Sequence, residues 1–300
     1  MRHQRVLRYI DEVARTGSIR KAAEKLNVTA SALNRRILDI EAEIGQPLFE
    51  RLPRGMRLTA AGEAFLRYVR ADESNLARVM SEIADMSGLR RGAIRIAASQ
   101  ALAYDLLPRE IDKYRKAFPL VEFGVRICNR VEAMRLLVEH EADLALMFNP
   151  ERSNDFQPIA RVAQRLHAIM ASDHPLAVHE ALRMRQIVEY PVALPEVGLG
   201  SRTLLEAFFS ASSLSHRVVL ESNSFDLLMR FVAQEPAITF QIALGTPPVE
   251  SPSGIVSRPI LEPGLAAADV VLGQLRGRIL PIAASKFAEQ LANRLDSLNQ

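Results

Sequence analysis

The 300-residue sequence predicts a multi-domain α+β protein with a small helical head, a long linking helix and a two-lobed α/β body. Three observations predict it. Residues 1–45 show helical apolar periodicity in three short segments, with a basic hairpin behind them. Residues 59–87 continue a single helical pattern. From residue 92 onward, short apolar strands alternate with helices in two successive blocks.

In the head, Val6, Leu7, Ile10, Val13 and Ala14 share one helical face. Thr16-Gly17-Ser18 breaks that helix, and Ser18 is the N-cap of a second, whose apolar face is Ile19, Ala22, Ala23 and Leu26. Asn27-Val28-Thr29 is a tight turn, with Thr29 capping a third helix. Its inner face is Leu33, Ile37, Ile40 and Ile44. At about 100° per residue, Ser31, Asn34, Arg35 and Leu38 fall opposite. Gly45-Gln46-Pro47 ends this helix. Phe49-Glu50-Arg51 and Met56-Arg57-Leu58 then flank Pro53-Arg54-Gly55 as a β-hairpin.

The long helix runs from Thr59 to Ser87, with Gly88 as its stop, and spans ~43 Å at about 1.5 Å per residue. Phe65, Val69, Leu76, Met80, Ile83 and Met86 make a thin apolar stripe that Asp72 and Glu73 interrupt. No neighbouring segment covers it, so a partner helix from a second copy is expected.

In the body, strands are predicted at 93–98, 121–127, 143–148, 191–194, 217–221 and 237–240. Helices are predicted near 102–117, 130–139, 201–212 and 224–234. This alternation predicts parallel sheets wrapped by helices, in two similar lobes. Loops are expected at 245–254 and 263–264, followed by a strand near 267–275 and a helix near 281–297. The expected division is a head over 1–58, a linking helix over 59–90 and a body over 91–300. Within the body, lobe I is 91–160 plus 266–300 and lobe II is 161–265.

With 48% apolar and 24% charged residues, the chain falls among ordinary globular proteins, which excludes disordered and fibrous classes. No apolar run approaches the ~18 residues of a membrane span. The start, Met1-Arg2-His3-Gln4-Arg5-Val6, leads into an amphipathic pattern rather than an apolar leader, so a cytoplasmic setting is expected. Cys128 alone forms neither an intramolecular disulfide nor a Cys-rich zinc site, and its place at the end of an apolar strand predicts a buried, inert thiol. Charge is uneven. Residues 1–70 hold 14 Lys+Arg against 8 Asp+Glu, a net +6, while the remainder holds 24 against 27, a net −3. A basic head on a mildly acidic body points to a polyanionic partner for the head.

Two helices joined by a short turn, the second presenting small polar and basic residues, have the logic of a helix-turn-helix. Such a helix buries one side and offers the other to the major groove of double-stranded DNA. Asn34 can pair with adenine, Arg35 with guanine, and Ser31 with a base edge or a phosphate. The N-termini at Ser18 and Thr29 supply free N–H groups for phosphates. Arg51, Arg54 and Arg57 make the hairpin a basic wing.

Residues 5–70 closely resemble the winged helix-turn-helix of LysR-type transcriptional regulators. The carriers are Gly17-Ser18-Ile19, Ala22-Ala23-Glu24-Lys25-Leu26-Asn27-Val28-Thr29, Ser31-Ala32-Leu33-Asn34-Arg35-Arg36-Ile37, Glu41-Ala42-Glu43-Ile44-Gly45, Pro47-Leu48-Phe49-Glu50-Arg51 and Leu58-Thr59-Ala60-Ala61-Gly62-Glu63. Gly92-Ala93-Ile94-Arg95-Ile96 and the run from Leu136 to Leu146 resemble the family's effector domain more loosely. The resemblance implies a winged helix-turn-helix, a long linker helix and a two-lobed, periplasmic-binding-protein-like effector domain. It implies DNA contacts from Thr29, Ala30, Ser31, Asn34 and Arg35, with Arg36 beside them and backbone contacts from Ser18 and Arg51. Ala30 offers only an apolar contact, such as to a thymine methyl. The resemblance also implies a homodimer or homotetramer, a small-molecule effector and contact with RNA polymerase.

Ligands of open α/β sheets bind beyond the carboxyl ends of the strands, and two lobes place such a site in the cleft between them. Ser99-Gln100-Ala101, Asn129 and Phe148 follow strands of the first block. Gly200-Ser201, Asn223 and Thr239 hold the corresponding places in the second. Converging hydroxyl and helix N-terminal N–H groups favour an anionic or strongly polar ligand. Arg130 and Arg202 are the nearest cations. With the family's habit added, a small organic acid is the favoured effector.

No cofactor, metal site or catalytic function is expected. The six histidines are scattered, and no His-Glu-x-x-His, phosphate loop or nucleophile elbow occurs. Two other readings remain open at the level of residues: a small-molecule-binding protein that uses only the lobes, and an architectural DNA binder without sequence preference.

Overall fold

The computed structural model describes residues 2–53, 55–86, 91–246 and 254–298. Arg54, Ser87, Gly88 and most of the loop expected at 245–254 lie outside them, as does the boundary at residue 90.

The head packs three helices, α1 (Arg2–Thr16), α2 (Ile19–Leu26) and α3 (Ala30–Ile44), against a hairpin of β1 (Phe49–Leu52) and β2 (Gly55–Leu58). Its core joins Ile10 and Val13 of α1, Ala22 and Ala23 of α2, Leu33 and Ile37 of α3, and Leu48 and Phe49 before and within the wing. Two alanines suffice on α2 because the short helix is wedged between α1 and α3. Ile44, expected on the inner face, is instead 39% exposed, because α3 ends there at the left-handed Gly45, beyond the reach of α1.

The long helix α4 (Ala60–Met86) is the expected linker, yet much of its stripe is covered by its own chain. Leu66 is buried in the head core, and Val69 is fully buried. Ser74 is buried beneath Arg278 of the body, whose Nη2 donates to Ser74 Oγ at 2.8 Å. Among the described side chains, the distal part leaves Val79, Met80 and Ile83 exposed, and Tyr68 is the large side chain exposed in the proximal part.

Lobe I contains β3 (Gly92–Ala98), α5 (Leu106–Ala117), β4 (Val121–Ile127), α6 (Arg130–Val138), β5 (Leu144–Phe148) and β6 (Phe156–Gln164). The helix expected over 102–117 divides: a 3-10 turn at Gln100–Ala103 precedes α5. The chain then enters lobe II through β7 (Leu166–Ala171), α7 (Met184–Ile187), β8 (Val192–Pro195), α8 (Gly200–Ala211), β9 (Val218–Ser222), α9 (Phe225–Val232), β10 (Thr239–Ile242) and β11 (Ile255–Pro259). It returns to lobe I through β12 (Ala268–Leu275) and α10 (Ile282–Ser297).

The sheets are mixed rather than purely parallel. Lobe I has the order β4-β3-β5-β12-β6, with β3 parallel to β4 and β5, and β12 antiparallel to β5 and β6. Lobe II combines an antiparallel β10-β7-β11 sheet with a parallel β8-β9 pair. β6, β7, α7 and β11 are not among the elements expected from the sequence. β6 contains Pro158 and presents mostly exposed residues at the sheet edge, so it lacks an apolar run. β4 is the other edge strand; its Val125 and Ile127 are exposed, so the apolar run there does not mark a buried strand. One continuous core runs through both lobes, closed on lobe I by edge-to-face contacts among Tyr114, Phe123 and Phe287.

His140, in the turn after α6, adopts left-handed backbone at φ 56°. Burial, with the nearby Arg278 and Arg95 guanidinium groups, holds its imidazole down at about 4. A base whose folded pKa is depressed contributes stability that is complete above the unfolded value of ~6.5 and lost as pH falls toward the folded one. His140→Asn keeps a residue tolerant of this backbone and removes the titration. Denaturant unfolding between about pH 6.5 and 4 is expected to show a shallower acid loss in the variant than in the wild type.

Candidate functional site

The head's outer face is built from its caps. Ser18 Oγ accepts from Lys21 N at the start of α2, and Thr29 Oγ1 accepts from Ala32 N at 3.2 Å at the start of α3. Between them Asn27 turns through the left-handed region, and its N–H closes α2 on Ala23 and Glu24 carbonyls. With Leu33 and Ile37 facing the core, Thr29, Ala30, Ser31, Arg35 and Arg36 stand exposed, and Asn34 is half-buried. Ser31 and Thr29 hydroxyls share a hydrogen bond at 3.2 Å.

The wing is attached at three points. Met56 N donates to Gly17 O at 2.8 Å, tying β2 to the turn between α1 and α2. Glu41 Oε1 accepts from Leu48 N and Phe49 N at 2.7 and 3.1 Å, tying α3 to β1. Arg51 Nη2 donates to Asn34 Oδ1 at 2.7 Å, so two residues expected to act separately on DNA are joined in the free protein. Arg57 pairs with Glu50 across the hairpin at 2.7 Å, and Arg36 with Asp39 at 3.7 Å. Arg35 is exposed and has no ion pair among the described residues.

A cleft of about 440 Å³ lies between the lobes. Ser99, Gln100, Ala101, Asn129 and Phe148 line it from lobe I, and Gly200, Ser201 and Asn223 line it from lobe II. Ser99 Oγ accepts from Phe148 N at 3.1 Å and stitches the end of β3 to β5. Gln100 Oε1 accepts from Phe225 N at 3.3 Å, spanning the cleft to the N-terminus of α9. Asn129 Oδ1 caps α6 by accepting from Glu132 N at 2.9 Å. The N-termini of α6, α8 and α9 all open into this space, a concentration of positive dipole ends.

Three corrections apply to the expected lining. Thr239 does not line the cleft: β10 begins at Thr239 rather than ending near it, so the carboxyl end of that strand presents Gln241 instead. Arg202 also lies elsewhere, held by Glu206, Glu221 and the Pro195 carbonyl, whereas Arg130 lines the cleft and pairs with Glu151 at 3.0 Å. Cys128 is half-buried in the cleft wall rather than in the core, with its thiol pushed up by burial and by Glu132. Gln241, missed in the sequence, is 2% exposed, and its Nε2 has no partner among the described residues; Ser201 Oγ, 4% exposed, also has none. Buried polar atoms are nearly always satisfied, so these two cleft residues offer hydrogen-bonding capacity to a bound molecule or water. Among the described residues, no group of three or more side chains is arranged to hold a metal ion.

The family model described as "Bacterial regulatory helix-turn-helix protein, lysR family" matches residues 4–63, and the model described as "LysR substrate binding domain" matches residues 87–296. This chain belongs to the LysR family of transcriptional regulators. It is 30% identical over 220 residues to the HTH-type transcriptional activator CmpR of Synechocystis sp., covering 73% of this chain and 72% of that relative. It is 38% identical over 208 residues to the HTH-type transcriptional regulator CbbR of Sinorhizobium medicae, covering 69% and 66%. Its fold matches a full-length OxyR variant from Pseudomonas aeruginosa with a TM-score of 0.74 at 19% identity, over 97% and 94% of the two chains. It also matches full-length CbnR complexed with its target DNA with a TM-score of 0.66 at 18% identity, over 97% and 99%.

In this LysR-family regulator the cleft depends on a glycine. A Cβ at Gly200 overlaps the Phe148 ring, so no larger residue fits between α8 and the end of β5 without displacing it. Gly200→Ala is expected to destabilise the body by roughly 1–3 kcal/mol. Ser201→Ala removes an unpartnered buried hydroxyl and is expected to be neutral or stabilising. Denaturant midpoints of the two variants check both statements.

Proposed function

We propose that α3 enters the major groove with Ser31 and Arg35 at base edges, while Ser18 and Thr29 at helix N-termini, with Arg51, Arg54 and Arg57 of the wing, hold phosphates. The observation that carries this reading is the two-sidedness of α3: Leu33 and Ile37 buried, Ser31 and Arg35 exposed beside a capped N-terminus. Asn34 Oδ1 already accepts from Arg51, so bidentate pairing of Asn34 with adenine competes with its bond to the wing.

The effector-binding function is assigned to the inter-lobe cleft, and the ligand class is a small organic acid. Three helix N-termini, the free donors of Ser201 and Gln241, and Arg130 favour a carboxylate; Phe148, Val197 and Leu199 supply apolar wall. The exposed Val79, Met80 and Ile83 on α4 are assigned to pairing with the same helix of a second copy, in a homodimer or homotetramer that presents two heads to a dyad-related site. The ligand acts by binding one arrangement of lobes and subunits better than another. The regulator works in the cytoplasm, where altered head spacing changes DNA geometry and contact with RNA polymerase. No helix among the described residues is long and apolar enough to cross a membrane.

Arg35→Ala is expected to cost about 1–3 kcal/mol in operator affinity and to relax preference at one base pair. Competition binding against nonspecific DNA measures this, with the wild type preferring its operator by ~10³-fold or more. Unchanged affinity and base preference in Arg35→Ala would sink the assignment of α3. For the cleft, a thermal-shift screen of the full chain against small organic acids is expected to raise the midpoint for at least one of them; no shift across the set rejects this ligand class.

A further inference from the structure

Among the described residues, one side chain links α1 of the head to lobe I through ion pairs. Arg70, on α4, is 12% exposed and faces three carboxylates from two parts of the molecule. Its Nε donates to Asp11 Oδ1 of α1 at 2.8 Å, the helix that backs the helix-turn-helix. Its Nη1 donates to Glu139 Oε2 at 2.6 Å, and its Nη2 lies 3.0 Å from Glu141 Oε1, both in the turn that follows α6 of lobe I. The two glutamates have second partners on lobe I itself, Arg135 for Glu139 and Arg126 for Glu141. Asp11 has Arg70 as its ion-pair partner among the described residues. A cleft of about 770 Å³ beside this cluster separates the head from α6, so the two surfaces are held by ions rather than by continuous packing.

We propose that Arg70 is a latch that sets the position of the DNA-reading head on lobe I, and that its release removes the attraction between α1 and the body. With Arg70 in place, one guanidinium bridges Asp11 to Glu139 and Glu141; without it, Asp11 loses its ion-pair partner and faces two glutamates that keep Arg135 and Arg126 across a half-buried seam. Removing one partner from a buried ion cluster leaves uncompensated charge, which is far more disruptive than losing an exposed pair. The second attachment of α4 behaves differently. Ser74 meets Arg278, which is 9% exposed, bound to Asp143 and to the Ala142 carbonyl, and inside the lobe I core. That contact anchors the linker at a fixed point, while the Arg70 cluster decides whether the head lies against the body beyond it.

The latch also lies at one end of a lever. α6 begins at Asn129 and Arg130 in the inter-lobe cleft and ends at the glutamates of the latch, nine residues or ~13 Å away. A ligand that shifts α6 moves Glu139 and Glu141 relative to Arg70. This last step rests on the cleft being the effector site; the latch itself does not, and its test needs no ligand.

The test is hydrogen exchange by mass spectrometry on the full chain, comparing the wild type with Arg70→Met, with the pair Glu139→Gln and Glu141→Gln, and with all three substitutions together. Both sets are expected to raise exchange in α1 about five-fold or more and to leave α9 of lobe II unchanged, with the triple variant no faster in α1 than Arg70→Met. The glutamate pair decides the matter if Arg70→Met loosens the head by itself, because those residues lie on lobe I, at its surface, and reach α1 through Arg70. Unchanged α1 exchange in the glutamate pair, or effects of the two sets that multiply independently in the triple variant, overturns the latch.

Discussion

The burial of Leu33 and Ile37 organises the head. Each is held at 1% exposure or less against α1, α2 and the base of the wing. At ~25 cal/mol per Å² of apolar surface, each contributes about 1.5–3 kcal/mol, and the same burial sets the rotation of α3 about its axis. Once that rotation is set, Ser31 and Arg35 face outward because the helical period leaves them no other direction. The Thr29 cap, the left-handed Asn27 and the Glu41 bonds to the wing then fix where α3 begins and how the hairpin sits beside it. The outward face of α3 is thus a consequence of packing on the opposite side of the same helix.

The cleft obeys a related rule in sheet form. Strands of both lobes end toward it, and the helices that follow start from it, so helix N-termini and cap residues collect there. Its walls belong to two lobes linked by crossings between β6 and β7 and between β11 and β12. Gln100 already bridges the gap to Phe225, while the Ser201 hydroxyl and the Gln241 amide stay unpartnered among the described residues. A cleft prepared in this way suits a ligand that completes hydrogen bonds as well as burying area.

Between the two sites the linker helix serves two purposes. Its proximal half is part of the chain's own core through Leu66 and Val69, and its centre is pinned by Arg278 and Arg70. Its distal half keeps Val79, Met80 and Ile83 exposed. The stripe in the sequence, interrupted at Asp72 and Glu73, follows one face of the helix, but its partners change along its length. Periodicity alone assigns the whole helix to a dimer seam, because it reports that a face is apolar and not what covers it.

Elements with local causes are legible in the order of residues. The caps at Ser18, Thr29 and Asn129, the turn at Asn27, the hairpin and the long helix follow from nearest neighbours and from apolar periodicity. Strand ends follow from strand patterns in the same way, and eight of the nine residues expected at the cleft line it in the structure. Long-range packing sets what remains: the antiparallel returns of β12 and β6, the slip of β10 that replaces Thr239 by Gln241, the pairing of Asn34 with Arg51, and the gathering of Asp11, Glu139 and Glu141 around Arg70. These depend on groups 17 to more than 100 residues apart, and no short-range pattern encodes which distant charge or strand edge will be the neighbour.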